Sequence, residues 1–215
     1  MISIIGCNKG GAGKTTTATN IAVALARQGK DVVVVDADPQ RSFAKWSSDR
    51  EQQEQEPYIT LIEKKDNIAL ALQSLNEKYE HVIVDVAGKN SRELITGATV
   101  ADLIIAPHQS SQLDLDTLSE LEEQLTRVRD LNPKLKVFVY HAMASSNPKV
   151  RQIEREEFEE YIKDYPDFHL LNSTGHYRKV YKDAIPLGRG VLEMQNEQAI
   201  EEINNLISEV YDGVK

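Results

Sequence analysis

The sequence predicts a doubly wound α/β fold, in which a mostly parallel sheet carries helices on both faces. Short apolar runs alternate with segments whose apolar residues recur at helical spacing, which is the pattern of successive βαβ units. The run Val32–Val35 is β-branched on both of its faces, as expected for a central strand that helices cover on both sides. No linker, repeat or low-complexity stretch divides the 215 residues, so one domain over residues 1–215 is expected.

Seven apolar runs are predicted to be strands. The fifth is expected to end at Pro107, because proline has no N–H group for a strand ladder. The predicted strands are Ile2–Ile5, Val32–Val35, Ile59–Ile62, Val82–Asp85, Leu103–Ala106, Val137–Ala142 and Phe168–Leu171.

Helical spacing fills the segments between these strands. Gly29 follows the first helix in the usual C-terminal position, and Pro148 suits the first turn of a later one. The polar run Asp49–Glu56 is interpreted as a solvated helix end or loop. One apolar stripe, predicted to be buried, comprises Leu118, Leu121, Leu125, Val128 and Leu131. The predicted helices are Thr15–Gln28, Arg41–Gln55, Asn67–Tyr79, Asp114–Leu131, Pro148–Lys163, Tyr177–Ala184 and Gln195–Tyr211.

A glycine-rich stretch joins the first strand to the first helix. Glycine permits backbone conformations that gather successive N–H groups on one concave surface, and the following helix directs its dipole to the same point. Lys14 is expected to reach the β- and γ-phosphates of a nucleotide, and the Thr15 hydroxyl to ligate Mg²⁺. The predicted nucleotide-binding residues are Lys9, Gly10, Gly11, Ala12, Gly13, Lys14, Thr15 and Thr16.

Two further strands end in carboxylates. Asp36 and Asp38 follow the second strand and Asp85 ends the fourth. Because ligands of open α/β sheets bind beyond the carboxyl ends of the strands, these side chains are expected beside the phosphate loop. An ordinary turn at Asp38–Pro39 is the alternative. Aspartates beside a phosphate repel it unless a metal ion or water intervenes, which favours the functional interpretation.

The segment Lys9–Thr16, Lys-Gly-Gly-Ala-Gly-Lys-Thr-Thr, resembles the deviant Walker A box of ParA/MinD-type ATPases. It departs from the general G-x-x-x-x-G-K-[ST] pattern because Asn8 stands at the first glycine position. The run Asp36–Gln40 is similar to the family's Asp-x-Asp-Pro-Gln box. Asp85 stands at the Walker B position, although Val-Ala-Gly follows it here instead of the frequent x-Pro-Pro.

The resemblance implies a P-loop ATPase that hydrolyses ATP to ADP and phosphate with Mg²⁺, slowly and with stimulation by DNA or a partner. It implies that Asp38 activates the attacking water and that Thr15, Asp36 and Asp85 serve the metal, with Asp36 acting from outside the inner shell. Lys9, the signature lysine, would cross a nucleotide-sandwiched homodimer to the partner's phosphates. The implied catalytic residues are Lys9, Lys14 and Asp38. The segment Gly88–Ser91 is interpreted as a switch near the γ-phosphate.

Composition narrows the choice among members of this family. One cysteine, Cys7, excludes a paired-cysteine cluster site within a subunit. MinD-type proteins end in a basic amphipathic membrane helix, whereas this C-terminal helix carries Glu197, Glu201, Glu202 and Glu209, so no membrane partner is expected. The phosphate loop begins within about ten residues of Met1, so an N-terminal DNA-binding extension is not expected. The sequence is most similar to a short ParA-like partition ATPase, cytoplasmic and nucleoid-associated, with a centromere-binding ParB-like adaptor; polymerisation beyond the dimer is left open.

The net charge of −9 means that any DNA contact must use a local basic patch. The predicted patch lies between Tyr177 and Arg189, where the only acid is Asp183. On a short helix, at least two of its cations would share a face and bind DNA without sequence preference. The predicted DNA-binding residues are Arg178, Lys179, Lys182 and Arg189. A solvated helix without a ligand is the alternative, and Lys149 with Arg151 is the second candidate.

Two other functions remain compatible with the motifs. A VirC-like DNA-transfer accessory protein would use the nucleotide site for assembly alone, without hydrolysis. An ATP-dependent ligase of the dethiobiotin synthetase type would use the same phosphate loop for carboxylate chemistry. A requirement for a small acid substrate would identify the second.

Overall fold

The computed structural model describes residues 1–88, 91–110 and 112–212. The strands are β1 (Ile2–Ile5), β2 (Val32–Ala37), β3 (Thr60–Glu63), β4 (His81–Val86), β5 (Leu103–His108), β6 (Lys136–Ala144) and β7 (Phe168–His176). The α-helices are α1 (Lys14–Arg27), α2 (Ser42–Gln52), α3 (Ala69–Asn76), α4 (Arg92–Ala98), α5 (Gln112–Leu131), α6 (Pro148–Ile162), α7 (Lys179–Ala184) and α8 (Glu197–Ile207). Short helical turns follow α7 at Ile185–Leu187 and Val191–Glu193, and α8 continues into a turn at Ser208–Asp212.

The seven strands form one sheet in the order β3-β2-β4-β1-β5-β6-β7, with neighbouring strands parallel. This confirms the predicted doubly wound α/β class. The order places β1 between β4 and β5, so the loop that follows β1 emerges at the middle of the sheet's carboxyl edge. In the register of β2 and β4, Asp36 lies opposite Asp85, which brings the two carboxylate-bearing strand ends side by side.

Each face of the sheet has its own hydrophobic core. Helices α3 to α6 cover one face and contribute Leu72, Leu94, Leu118 and Phe158, whereas α1, α2 and α8 cover the other with Ile21, Phe43, Trp46 and Ile203. The predicted stripe of α5 is buried at Leu118, Leu121, Leu125 and Val128. Leu131, the last member of that stripe, is 74% exposed, so its predicted burial is wrong.

Three local predictions differ from the structure. Strand β5 continues through Pro107, because its pairing with β1 ends at Ile105 and the proline then pairs with β6 alone. Helix α4 was not predicted, since seven residues give too little periodicity; the Ser91 hydroxyl caps it by accepting the N–H of Leu94. Strand β7 extends five residues beyond its predicted end at Leu171.

The polar run after Trp46 is not wholly solvated, because Arg50 is buried. Its guanidinium forms a two-point ion pair with Glu193, with N–O distances of 2.9 Å, and donates to the carbonyls of Pro57 and Gly188. Four acceptors compensate for the loss of water around this charge. Arg50 thus ties α2 to the segment that precedes α8.

Candidate functional site

The loop between β1 and α1 has the backbone that a phosphate site requires. Gly11 and Gly13 have φ angles of 76° and 90°, in a left-handed region that residues with side chains rarely adopt. Gly13 is also the N-cap residue of α1, and no side chain caps the helix there. The N–H groups of the first turn of α1 therefore remain available to an anion at the helix N-terminus.

Lys14 and Gly88 pack closely at this loop. The Lys14 ammonium is buried and donates a 2.6 Å hydrogen bond to the Lys9 carbonyl oxygen. A Cβ atom on Gly88 would lie 2.8 Å from both the Lys14 nitrogen and the Lys9 oxygen. Only glycine therefore fits where the chain leaves β4 against the phosphate loop. Lys89 and Asn90, in the middle of the predicted switch segment, lie outside the described residues.

Asp85 is fully buried at the end of β4 and only half satisfied. Its Oδ2 atom accepts a 2.7 Å hydrogen bond from the Thr15 hydroxyl, whereas Oδ1 has no hydrogen-bond partner among the described residues. Burial raises the pKa of the Asp85 carboxyl to about 7, and the nearby charges of Asp36 and Asp38 act in the same direction against the hydrogen bond from Thr15. The arrangement is unfavourable for the protein alone and suits a cation.

Asp36 differs from Asp85 because both of its oxygens have donors. Oδ1 accepts the Asp38 N–H at 3.1 Å, and Oδ2 accepts the Ala44 N–H at 2.8 Å. Burial raises the pKa of the Asp36 carboxyl against these hydrogen bonds. The contacts join the loop after β2 to the first turn of α2, so Asp36 fixes the position of Asp38. Its predicted support of the metal shell stays a prediction.

Asp38 and Lys9 are both partly exposed. The Asp38 Oδ1 atom accepts the N–H of Gln40 at 2.8 Å, which orients the carboxylate at the turn before α2. The catalytic roles of Asp38 and Lys9 stay predictions.

The residues present fit a Mg²⁺ ion that phosphate oxygens help to hold. Mg²⁺ is usually bound by one or two carboxylates together with substrate phosphates and waters, rather than by a complete protein cage. Asp85 offers an unpaired buried oxygen and Thr15 a neighbouring hydroxyl. Across residues 1–88, 91–110 and 112–212, no group of three or more His, Cys, Asp and Glu side chains is arranged to hold a metal.

A largely apolar pocket of about 170 Å³ adjoins the phosphate loop. Gly13 and Thr16 form the side nearest the loop, and Met143 contacts this region from β6, since a Cβ on Gly13 would lie 3.1 Å from its terminal methyl group. The remaining wall comes from the ends of β6 and β7, from α7 and from α8, and includes Tyr140, His176, Tyr177, Arg178, Tyr181 and Lys182. The sequence does not indicate this pocket, because its lining residues come from segments far apart in the chain.

The predicted basic patch is divided in the structure. Arg178 precedes α7 instead of lying on it, and its guanidinium binds Glu202 at 2.7 Å and Gln198 at 2.6 Å. Its predicted place on a helix face is therefore wrong. Lys179 is exposed, 3.7 Å from Asp183, and Lys182 donates to the Tyr177 hydroxyl at the pocket rim. Arg189 contacts Gln55 of the segment after α2.

The second candidate pair, Lys149 and Arg151, is exposed on the first turn of α6. The C-terminal helix differs from its predicted acidic surface, since Glu202 is buried and Glu209 accepts hydrogen bonds from Asn172 and Ser173. Among the described residues, no helix combines the length and hydrophobicity needed to cross a lipid bilayer.

The chain is similar to known proteins both in sequence and in fold. Residues 1–156 match the family model described as ATPase MipZ. The maintenance of carboxysome distribution protein A of Halothiobacillus neapolitanus is 28% identical over 209 residues, covering 94% of this chain and 92% of that protein. The chromosome-partitioning ATPase Soj of Thermus thermophilus is 30% identical over 157 residues, covering 60% of this chain and 63% of that protein. The structure of apo McdA from Cyanothece is similar with a TM-score of 0.78 at 18% identity, covering 97% of this chain and 98% of that one.

Proposed function

The chain belongs to the MipZ family of ATPases, and on that premise we propose that it is a DNA-partition ATPase switched by Mg²⁺-dependent ATP hydrolysis. In this proposal the protein forms a homodimer around ATP and binds DNA without sequence preference. After hydrolysis the dimer dissociates and leaves the DNA. The relatives supply the class, since one is described as a partitioning ATPase and another as maintaining carboxysome distribution. The cargo, the ParB-like adaptor and the cytoplasmic, nucleoid-associated location are parts of the proposal.

The half-satisfied carboxylate of Asp85 is the observation that carries the nucleotide chemistry. A buried oxygen without a donor costs free energy, and a bound ion is one of the groups that can complete it. Asp85 lies beside the Thr15 hydroxyl and the open N-terminus of α1, where a metal–phosphate pair would supply both the missing cation and the missing anion.

Each residue of the site has a distinct role in the proposed reaction. The N–H groups from Gly10 to Lys14 and the Lys14 ammonium hold the phosphates, after Lys14 exchanges the Lys9 carbonyl for a phosphate oxygen. Asp38, held by Asp36 through the loop after β2, orients the attacking water. Bound Mg²⁺, held by Thr15 and Asp85, would neutralise charge on the phosphates. Such positioning and charge stabilisation are most of what phosphoryl transfer needs.

The nucleoside would occupy the apolar pocket beside Gly13 and Thr16. Nucleoside sites are mostly apolar concavities with a few polar groups, and this pocket continues directly from the phosphate loop. Arg178 in its wall provides a flat cation, which can stack on a base. Arg178 is therefore better explained as part of the nucleotide site than as a DNA contact.

Dimerisation is proposed to depend on Lys9. One lysine, Lys14, is sufficient to neutralise phosphates within a subunit, and Lys9 is a second, partly exposed lysine in the same loop. Such a cation can form charge-assisted hydrogen bonds with the phosphates of the nucleotide bound to the partner subunit. DNA binding is proposed for the exposed Lys179 and Lys182, whose number a dimer doubles, with Arg189 at the margin and Lys149 with Arg151 as the alternative surface.

The test uses Asp38→Ala to hold the ATP state. With ATP and Mg²⁺ this variant should sediment as a dimer and retain duplex DNA at low salt, whereas with ADP it should be monomeric and unbound. Adding Lys9→Ala should remove the dimer without preventing ATP binding. Lys179→Glu, which leaves the lining of the pocket unchanged, should weaken DNA binding and flatten its salt dependence while leaving the dimer intact. A dimer that forms equally with ATP, with ADP and without Lys9 contradicts the proposal.

A further inference from the structure

Glu202 of α8 is a buried hydrogen-bond centre next to the apolar pocket. Its Oε1 atom accepts from His176 Nδ1 and from Arg178 Nε, both at 2.7 Å, and its Oε2 atom accepts from the Tyr181 hydroxyl at 3.0 Å. The backbone N–H of His176 adds a fourth contact at 3.3 Å. The carboxylate is 7% exposed, so these donors replace nearly all of its water.

The three side chains that Glu202 holds all line the pocket. His176 comes from the end of β7, Arg178 from the segment before α7 and Tyr181 from α7 itself. Glu202 does not line the pocket and acts from behind these three. Burial opposes ionisation of Glu202, but the hydrogen bonds from His176 and Arg178 outweigh it and lower the pKa of the carboxyl. The centre is therefore a charged, fully paired anchor.

We propose that Glu202 is a positioning residue for the nucleoside end of the site, fixing Arg178, Tyr181 and His176 as a preformed wall for the purine ring. The inference rests on the proposed function and assigns a specificity role to a residue outside the phosphate-binding motifs. Arg178 has its guanidinium edges bound to Glu202 and Gln198, so its flat face is what remains for a planar ligand. A wall that is fixed before binding reduces the ordering cost of the ligand.

The experiment compares ATP with inorganic tripolyphosphate, which carries the phosphates without the nucleoside. Both are titrated with Mg²⁺ into the full chain, in wild type and in Glu202→Gln, which preserves the size of the side chain. The variant should bind ATP about tenfold more weakly, since charged hydrogen bonds behind the wall are lost, and should bind tripolyphosphate within about twofold of wild type. Removing a negative charge favours every polyphosphate, so a loss confined to ATP cannot come from electrostatic repulsion.

Glu209→Gln is the matched control, because Glu209 also anchors β7 through hydrogen bonds, to Asn172 and Ser173, but none of these three residues lines the pocket. It should lower thermal stability and leave the ratio of the two affinities unchanged. Arg178→Gln is the second test, for use where Glu202→Gln does not fold, and should show the same selective loss of ATP.

The outcomes separate the two proposals. Equal weakening of ATP and tripolyphosphate in Glu202→Gln, or no weakening of either, overturns the positioning role while the proposed ATPase stands. The same holds if Glu209→Gln changes the affinity ratio as much as Glu202→Gln does. If wild type binds neither ATP nor tripolyphosphate, the nucleotide function itself is wrong and the positioning role falls with it.

Discussion

Asp85 and Glu202 are both buried carboxylates beside the candidate nucleotide site, and their surroundings are opposite. Asp85, next to the phosphate loop, has one donor, Thr15, and one oxygen without a partner among the described residues. Glu202, behind the pocket wall, has donors on both oxygens from His176, Arg178 and Tyr181. Accordingly, the pKa of Asp85 is raised to about 7, whereas that of Glu202 is lowered.

Asp85 is a carboxylate that a ligand would complete, whereas Glu202 is a carboxylate that shapes the pocket for a ligand. The donors of Glu202 all belong to the chain, so its carboxylate is stabilised as soon as the protein folds. The result is a pocket wall that is fixed before a ligand binds. Thr15 donates to Oδ2 of Asp85, but Oδ1 has no donor among the described residues, so a cation added at Oδ1 would stabilise the ionised form further. Unsatisfied groups of this kind concentrate at functional sites, where folding stability is lost in exchange for binding.

The largest expected difference between a variant at the phosphate loop and a variant behind the pocket wall is in kcat. Asp38→Ala should lower kcat by more than about 100-fold and change the ATP Kd by less than about threefold, because the water loses its orientation while the phosphate loop is intact. Glu202→Gln should instead raise KM and leave kcat nearly unchanged. Steady-state phosphate release and equilibrium ATP titration measure both. An ordinary kcat in Asp38→Ala removes this residue from the mechanism.

The next effect is on affinity for phosphate itself. Lys14→Ala should weaken ATP and tripolyphosphate alike, by about 100-fold or more, since a buried ammonium that faces both ligands is lost. Glu202→Gln should weaken the binding of ATP but not of tripolyphosphate, so one binding assay with both ligands distinguishes the two variants. Lys45→Ala, on α2, serves as a lysine control. Selective loss of ATP alone in Lys14→Ala would contradict the placement of the phosphates.

A smaller effect concerns the stability of the metal-free protein. The folded pKa of Asp85, about 7, exceeds its ordinary value of 3.8, so the folded state holds a proton that the unfolded chain releases between these values. Stability without ligand should therefore fall as pH rises from about 4 to about 7. Asp85→Asn removes this dependence and should gain stability over wild type between about pH 5 and about pH 8, by at most an amount on the order of 4 kcal/mol.

Urea unfolding of both proteins in EDTA, at about pH 4 and at about pH 7, measures this difference in stability. Adding Mg²⁺ and ATP should reverse the ranking, because wild type gains binding energy that Asp85→Asn lacks. A variant that is no more stable than wild type at the higher pH would show that Asp85 is adequately solvated in the free protein.

The smallest effect is the acid response of Glu202. Its pKa lies below the ordinary value of 4.5 in the folded state, so its stabilising contribution is complete above that value and is lost as pH falls through the folded pKa. Wild type should therefore lose stability below about pH 4.5, and Glu202→Gln should flatten that part of the curve. Glu201→Gln, an exposed neighbour on α8, should leave the slope unchanged.

The sheet class, most of the helices and strands and the phosphate loop can be predicted from the sequence, because they depend on patterns among neighbouring residues. Glycine spacing, apolar periodicity and the position of an aspartate at the end of an apolar run are properties of neighbouring residues. The side-by-side placement of Asp36 and Asp85 also followed, since parallel strands bring their carboxyl ends to one edge.

Which charged residues lie on the surface and which are buried could not be predicted from the sequence and depends on the packing of the fold. Arg178 and Glu202 stand in polar segments and were predicted to lie on a basic patch and on an acidic helix, yet 24 residues apart they form one ion pair in which Glu202 is buried. Arg50 and Glu193 pair in the same way across 143 residues. Periodicity records which face of an element is apolar, but it cannot record which distant partner neutralises a charge. Burial of a charge depends on that partner, and only the packed fold brings the two together.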